Sequence, residues 1–373
     1  VNDTYPHTLS ETLRRHGVDK PVVVVDLDRL EANCAAVGAQ TGAGMARRLV
    51  AKSLPCLPLL DHIRARLPTS GLMTFSEPML KALLAAEADT DHLLGKPLPA
   101  SSAARVLAAE ARAAERVQWL VDTPERARDY MALADQIDQT LRLSLELDIG
   151  LHRGGLTPEQ VTEVARAIEA HPKAMLSGVM GYEAHLAKLP GILVGRAARS
   201  SARIYRRAVD ALPKGNFDLC LNTGGSLTFQ SYTQTDTANE VALGSVLVKP
   251  SDFDHTTTKV FQPAAFIATP ILKTMPGNAL PGLEFLPRRK TDIAIFGGHF
   301  LAKPVYPAGF GYSSIFGRSS NQEVWTGPRT SEIRAGDVAL LRPSQSEAVL
   351  NQFGVMLAVR GDRVECEWSC LPN

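Results

Sequence analysis

No stretch of the 373 residues approaches the roughly 18 uninterrupted apolar residues that a membrane-spanning helix needs. The opening "VNDTYPHTLS" lacks the charged-then-apolar layout of a signal peptide, and it lacks an initiator methionine, as a processed or trimmed start would. Cysteine is scarce: Cys34, Cys56, Cys220, Cys366 and Cys370 are odd in number and widely spaced, and "CEWSC" is not a CxxC pair. A disulfide framework and a structural zinc site are therefore not expected, whereas a reducing, cytoplasmic setting is. An excess of charge of either sign is also missing. Forty Lys and Arg against 39 Asp and Glu leave a net charge of +1, with no basic block and no interleaving of basic and aromatic residues. No nucleic acid and no anionic membrane is expected as a partner, and a small neutral or zwitterionic ligand fits better. Internal repeats and low-complexity segments are absent as well.

What is present is an ordinary globular composition, 45% hydrophobic and 21% charged, enough to fill one large core and a smaller one. Through the first two thirds of the chain, short β-branched or apolar runs alternate with longer amphipathic stretches rich in Ala and Arg. The runs are "ARRLVAKS", "GLMTFSE", "DHLLG", "VQWLVD", "RLSLELDIG", "MLSGVMGYE", "FDLCLN" and "EVALGS". Stretches between them read as helices, as in "TPEQVTEVARAIEAH" with Thr157 as cap and Glu159 close behind. Eight strands in this rhythm predict an α/β fold, a closed (β/α)8 barrel. An open doubly wound sheet is the competitor, but no GxGxxG follows the first strand and a glycine pair arrives only at the seventh. After about residue 257 the runs are of β type, separated by Pro, Gly and Asn turns. The expected division is a barrel over residues 21–257 and an all-β domain over residues 258–373 with residues 1–20. "PVVVVDLDRLEANCAAV" is a strand running into a helix that could pair with either part.

In a β/α barrel the functional groups sit where strands end and loops begin. Lys52, at the end of "RRLVAKSLP", occupies such an end. Desolvation by the barrel mouth disfavours an ammonium and exposes a nucleophilic amine suited to imine formation with a carbonyl. The alternatives are a snorkelling lysine or the partner of a buried carboxylate. "CLNTGGSLTF" follows an apolar strand with Thr223, Gly224, Gly225 and Ser226, and "ALGSV" ends the next strand with Gly244 and Ser245. Either pair alone reads as a turn. On the last two strands of a barrel they match the usual phosphate position, with open backbone N–H groups and hydroxyls. A lysine on the first strand and a phosphate cradle on the last two are the two ends of a pyridoxal phosphate site. Arg153 in "ELDIGLHRGG" could hold a phenolate or carboxylate, or be solvated. Tyr182 and His185 in "GVMGYEAH" could lie against a flat ring and act as acid or base, or be a structural tyrosine and a surface histidine.

With these residues the sequence resembles the fold-type III pyridoxal phosphate enzymes, in the branch of D-threonine aldolase, D-serine dehydratase and D-3-hydroxyaspartate enzymes, with alanine racemase more distant. The likeness covers nearly the whole chain. It is carried by "VVDLDRLEAN", the R-x-x-x-K of Arg48 and Lys52, "LDIGLHRGG", "GVMGYEAH", "NTGGS" and "EVALGS" in this order. It implies an internal aldimine of pyridoxal 5'-phosphate on Lys52, Arg153 near the cofactor phenolate, and Thr223, Gly224, Gly225, Ser226, Gly244 and Ser245 around the phosphate. It also implies a homodimer with sites at the junction of barrel and β-domain.

One motif departs from the resemblance. The aldolase and dehydratase branch carries a late P-S-H-x-C or P-S-H-x-D that binds a divalent metal polarising the substrate β-hydroxyl. Here "RPSQSEAVLNQFG" puts Gln345 at the histidine position and Glu347 at the cysteine or aspartate position. Loss of the family metal is expected. It would leave Glu347 as a metal-free general base or the two as a plain hydrogen-bonding pair, and a hard cation such as magnesium or manganese on the two oxygens is the other reading. His299 in "FGGHF" is a replacement ligand, a base or a structural histidine, and Tyr306 and Tyr312 are further candidates for proton transfer. The leading expectation is a lyase acting on a D-configured β-hydroxy amino acid by retro-aldol cleavage or dehydration, with Lys52, His185 and Glu347 as catalytic groups. An amino-acid racemase and a non-catalytic pyridoxal phosphate carrier are the alternatives.

Overall fold

The four valines of Val22–Asp26 (β1) are buried, because this strand is flanked on both sides: β10 (Ala265–Pro276) pairs with it antiparallel and β16 (Val355–Arg360) parallel. The structure, a computed structural model, describes residues 4–87, 89–213, 218–235, 237–277, 282, 285, 287 and 289–372. Two compact units divide it, Val1–Cys34 with Leu247–Cys370, and Ala35–Val246 with Leu371–Asn373. The sequence reading put the boundaries at residues 21 and 257. The valine run belongs with the sheet unit because all its ladder partners lie there, which an apolar run cannot announce by itself.

In the second unit β2 (Ala46–Val50), β3 (Gly71–Thr74), β4 (His92–Leu94), β5 (Val117–Val121), β6 (Leu141–Leu147), β7 (Ala174–Gly181), β8 (Cys220–Thr223) and β9 (Glu240–Leu243) close into a parallel barrel in chain order. The eight runs expected from sequence are its strands. Helix starts are written in hydroxyls and prolines: Ser76 caps Glu77–Ala86 and Thr123 caps Pro124–Ile137, each with Pro in the first turn. Pro158–Ala170 opens with a capping box whose second member is Gln160.

The ladder puts Arg48 opposite Gly71 and Ala242, and Gln118 opposite Arg142, so these polar side chains share the inner face. They meet near the N-terminal strand ends. Arg48 Nε lies 2.6 Å from Glu240 Oε1 and Nη2 lies 2.8 Å from Asp91 Oδ1. Arg142 reaches Asp91 at 2.5 Å, and Asn222 Nδ2 donates to Glu240 Oε1 at 2.8 Å. Burial alone would strip Arg48 of charge, but Glu240 and Asp91 hold its pKa above the usual value. A closed ionic plug therefore fills one end of the barrel and leaves the other for a ligand.

The first unit carries a nine-stranded sheet. Its main path runs β13 (Gly311–Tyr312), β14 (Gln322–Pro328), β11 (Lys290–Phe296), β10, β1, β16, β17 (Arg363–Ser369), while β15 (Val338–Pro343) pairs with β10 and with β12 (Ala302–Tyr306). Helix Tyr5–His16 buries Leu9 and Leu13 against Val22, Val24, Phe266 and Leu340 of this sheet. No helix among the described residues is long and apolar enough to cross a membrane.

Candidate active site

Lys52 follows β2 in the short helical turn Ala51–Ser53. Its Nζ lies 4.3 Å from the centre of the Phe75 ring, at the end of β3. The turn is pressed against the end of β9: a Cβ on Gly244 would come within 2.8 Å of Val50 Cβ and 2.9 Å of Ser53 Cβ. Ser245 Oγ donates to Ser53 Oγ at 3.1 Å. The lysine and the second glycine–serine pair are thus built as one piece.

β8 ends on Thr223, and the chain turns through Gly224 at φ 70, a left-handed conformation that suits glycine. Gly225 N–H donates to Thr228 Oγ1 at 3.1 Å, and a Cβ on Gly225 would approach the Tyr182 ring to 3.0 Å. Ser226 Oγ accepts from Gly244 N–H at 3.4 Å and Val246 N–H at 3.1 Å, so the two glycine segments converge on one hydroxyl. Tyr182, directly after β7, carries the Arg153 guanidinium 5.6 Å from its ring centre. The mouth therefore offers an amine, an aromatic face, a guanidinium and two convergent glycine–serine segments that carry backbone N–H groups and hydroxyls. That donor set fits a flat aldehyde bearing a phosphate.

The profile of the family described as "Alanine racemase, N-terminal domain" matches residues 25–252. The chain belongs to this family, within the fold-type III pyridoxal phosphate superfamily. It is 22% identical, over 94% of its length and 91% of the relative's, to the 3-hydroxy-D-aspartate aldolase of Paracoccus denitrificans. Among solved structures, the D-threo-3-hydroxyaspartate dehydratase of Delftia sp. HT23 superposes with a TM-score of 0.78 at 16% identity, covering 96% of this chain and 98% of that one. The D-threonine aldolase of Filomicrobium marinum gives 0.76 at 17% identity, covering 94% and 96%. At these identities the superpositions speak for the fold, a parallel barrel with a separate, mostly antiparallel sheet unit.

Of the remaining candidates, His185 belongs to the barrel unit and the others to the sheet unit. The His185 ring turns to helix Gly191–Asp210, with Nε2 3.3 Å from Ser201 Oγ, and burial and nearby His152 lower its pKa. Gln345 and Glu347 belong to the sheet unit, where the Gln345 amide donates to Asp252 Oδ2 at 3.2 Å and Ser346 Oγ donates to Glu347 Oε2 at 3.2 Å. Among the described residues no group of three or more His, Cys, Asp or Glu side chains is arranged to hold a metal. His299 is exposed at φ 55, its N–H donating to buried Glu323 at 3.2 Å. Tyr306 packs edge-on against His7 of the N-terminal helix at 5.8 Å. Tyr312 donates to the Ala302 carbonyl, under the Arg318 guanidinium at 3.7 Å.

Three groups at the mouth escaped the sequence reading. Glu146, near the end of β6, shares the inner face with Arg142, and burial followed by the Asp122 charge pushes its carboxyl up to about 7, against the pull of Arg153. Its inward alternation with Arg142 and Ser144 in "RLSLELD" was the available signal. Glu183 and Tyr232 meet behind the glycine loop, at 2.7 Å. Glu183 adjoins the conspicuous Tyr182, but nothing local marked Tyr232, which reaches the site through the path of a loop.

Proposed function

We propose that this protein is a pyridoxal phosphate-dependent lyase that acts on a D-configured β-hydroxy amino acid, by retro-aldol cleavage or dehydration. The observation that carries the cofactor assignment is the single built unit of the Lys52 turn and the cradle, joined through Val50, Ser53, Gly244, Ser245 and Ser226. The substrate class is favoured by the aldolase and dehydratase likenesses, which run along nearly the whole chain.

When bound, pyridoxal phosphate supplies an electron sink that makes the bonds at the substrate α-carbon labile. Lys52 Nζ would hold the group at its carbonyl carbon and would move a proton at the substrate α-carbon. Gly224, Gly225, Ser226, Gly244 and Ser245 would hold its phosphate through N–H groups and hydroxyls, with Thr223 at the base of the loop. Tyr182 would lie along the ring, and Arg153 beside Tyr182 supplies a cation for a phenolate or carboxylate. Glu146 carries a carboxyl able to exchange a proton near neutral pH. No step in this reading is assigned to a metal. A homodimer goes with the family, and sedimentation of the purified protein tests it.

The test is an absorption spectrum of wild type and Lys52→Ala with the cofactor, followed by D-threonine, D-serine and D-3-hydroxyaspartate with and without EDTA. A visible band that is lost in the variant, and release of an aldehyde or of ammonia by wild type, are expected. A cofactor-loaded protein that only interconverts enantiomers would make it a racemase, and one that turns over no amino acid a carrier.

A further inference from the structure

Tyr232 stands at the far end of the loop that begins with Gly224, and the chain brings it back. Thr228 and Phe229 N–H groups both donate to the Gly225 carbonyl, at 3.0 and 2.9 Å, and Tyr232 N–H donates to the Phe229 carbonyl at 3.1 Å. Phe229 is fully buried and anchors the turn. The Tyr232 ring then lies 3.1 Å from where a Gly224 Cβ would stand. Its hydroxyl donates to Glu183 Oε2 at 2.7 Å and accepts from Thr223 Oγ1 at 3.4 Å. Glu183 is 3% exposed and sits one residue after Tyr182, whose ring lies 3.0 Å from where a Gly225 Cβ would stand. Two consecutive residues after β7 therefore grip two consecutive glycines after β8, one directly and one through Tyr232.

We propose that Glu183 and Tyr232 form a clamp that presets the Gly224–Gly225 turn for an anionic phosphate, and so act as positioning residues for the cofactor. The proposal rests on the pyridoxal phosphate reading. Two adjacent glycines give up more backbone freedom on ordering than any other pair, and a left-handed Gly224 is one conformation among several for a free turn. Holding the turn from behind fixes the course of the loop before an anion arrives, which removes the ordering cost from binding. A carboxyl next to an anion cradle would normally repel the ligand. Burial raises the Glu183 pKa, against the hydrogen bonds from Tyr232 and Thr228, and so lessens its negative charge.

Because the clamp acts on the phosphate end, it affects pyridoxal phosphate and not pyridoxal. The experiment titrates wild type, Tyr232→Phe, Glu183→Ala and Glu183→Gln with each compound by absorption and by protein fluorescence. Tyr232→Phe and Glu183→Ala are expected to weaken pyridoxal phosphate about tenfold, the loss of one buried hydrogen bond, while pyridoxal affinity stays at the wild-type value. Glu183→Gln, whose amide oxygen still accepts from Tyr232, is expected to retain most of the affinity. The double variant Tyr232→Phe/Glu183→Ala should be no worse than either single one, since both remove the same interaction. Equal weakening of both compounds, as a merely structural role would give, or no weakening of either, overturns the clamp alone. Failure of wild type to bind pyridoxal phosphate overturns the clamp together with the cofactor reading.

Discussion

Arg48 and Lys52, four residues apart, serve opposite ends of one barrel: Arg48 closes the N-terminal end at 2.6 Å from Glu240, and Lys52 stands at the mouth 4.3 Å from the Phe75 ring centre. The R-x-x-x-K spacing thus joins a structural cation to a chemical one. Removing one member of a fully buried pair leaves an uncompensated charge, so Arg48→Ala is expected to cost about 3–5 kcal/mol in urea unfolding. Lys52→Ala should leave the cofactor-free urea midpoint near that of wild type while abolishing turnover. Similar urea midpoints for wild type and Arg48→Ala would show that the plug is not what closes the barrel.

Gly244→Ala is expected to disturb the site from a strand that makes no covalent contact with the cofactor. The new methyl would stand 2.8 Å from Val50 Cβ and must push the Lys52 turn aside. Overpacking of this kind costs about 1–3 kcal/mol, and it should appear as weaker cofactor affinity together with a lower melting temperature. An unchanged dissociation constant would mean that the turn and the cradle are not coupled.

Glu146 predicts a pH dependence of stability with a definite sign. Its pKa is raised, from the model-peptide value near 4.5 to about 7, so the folded state holds a proton that the unfolded state has released. Stability from this group is therefore full below about 4.5 and declines as pH rises through about 7, by up to about 3 kcal/mol. Glu146→Gln should stabilise the cofactor-free protein at pH 8 and leave it unchanged at pH 4. Parallel stability–pH curves for the two proteins would refute the assignment.

His92 predicts the opposite trend in acid. It is fully buried on β4, with neither ring nitrogen hydrogen-bonded, and burial drives its pKa down to about 4. The unfolded chain binds a proton below about 6.5 that the folded chain refuses, so stability falls between pH 6.5 and 4. His92→Leu should flatten this part of the curve, as equilibrium unfolding at several pH values would reveal.

The barrel was legible because each strand is short, apolar and followed by a polar helix, a rhythm with few other solutions. The lysine and the glycine pairs could be read as candidates because, on the first and the last two strands of one barrel, they form a pattern that none of them makes alone. Val22–Asp26 left the boundary open, since a four-valine run is equally at home in a barrel or at the centre of an open sheet, and only its partners decide. Tyr232 was invisible for a different reason. Its role depends on a loop returning to Gly224, and the contacts that bring it back, through Phe229 and Gly225, have no local signature.

The central claim is tested most directly by following cofactor-loaded protein with D-threonine by proton NMR in deuterated water. The account predicts loss of D-threonine with release of glycine and acetaldehyde, or of ammonia and the corresponding keto acid, and no reaction of L-threonine. Deuterium entering the α-position with inversion there to the α-epimer, L-allo-threonine, and no cleavage product, would contradict it.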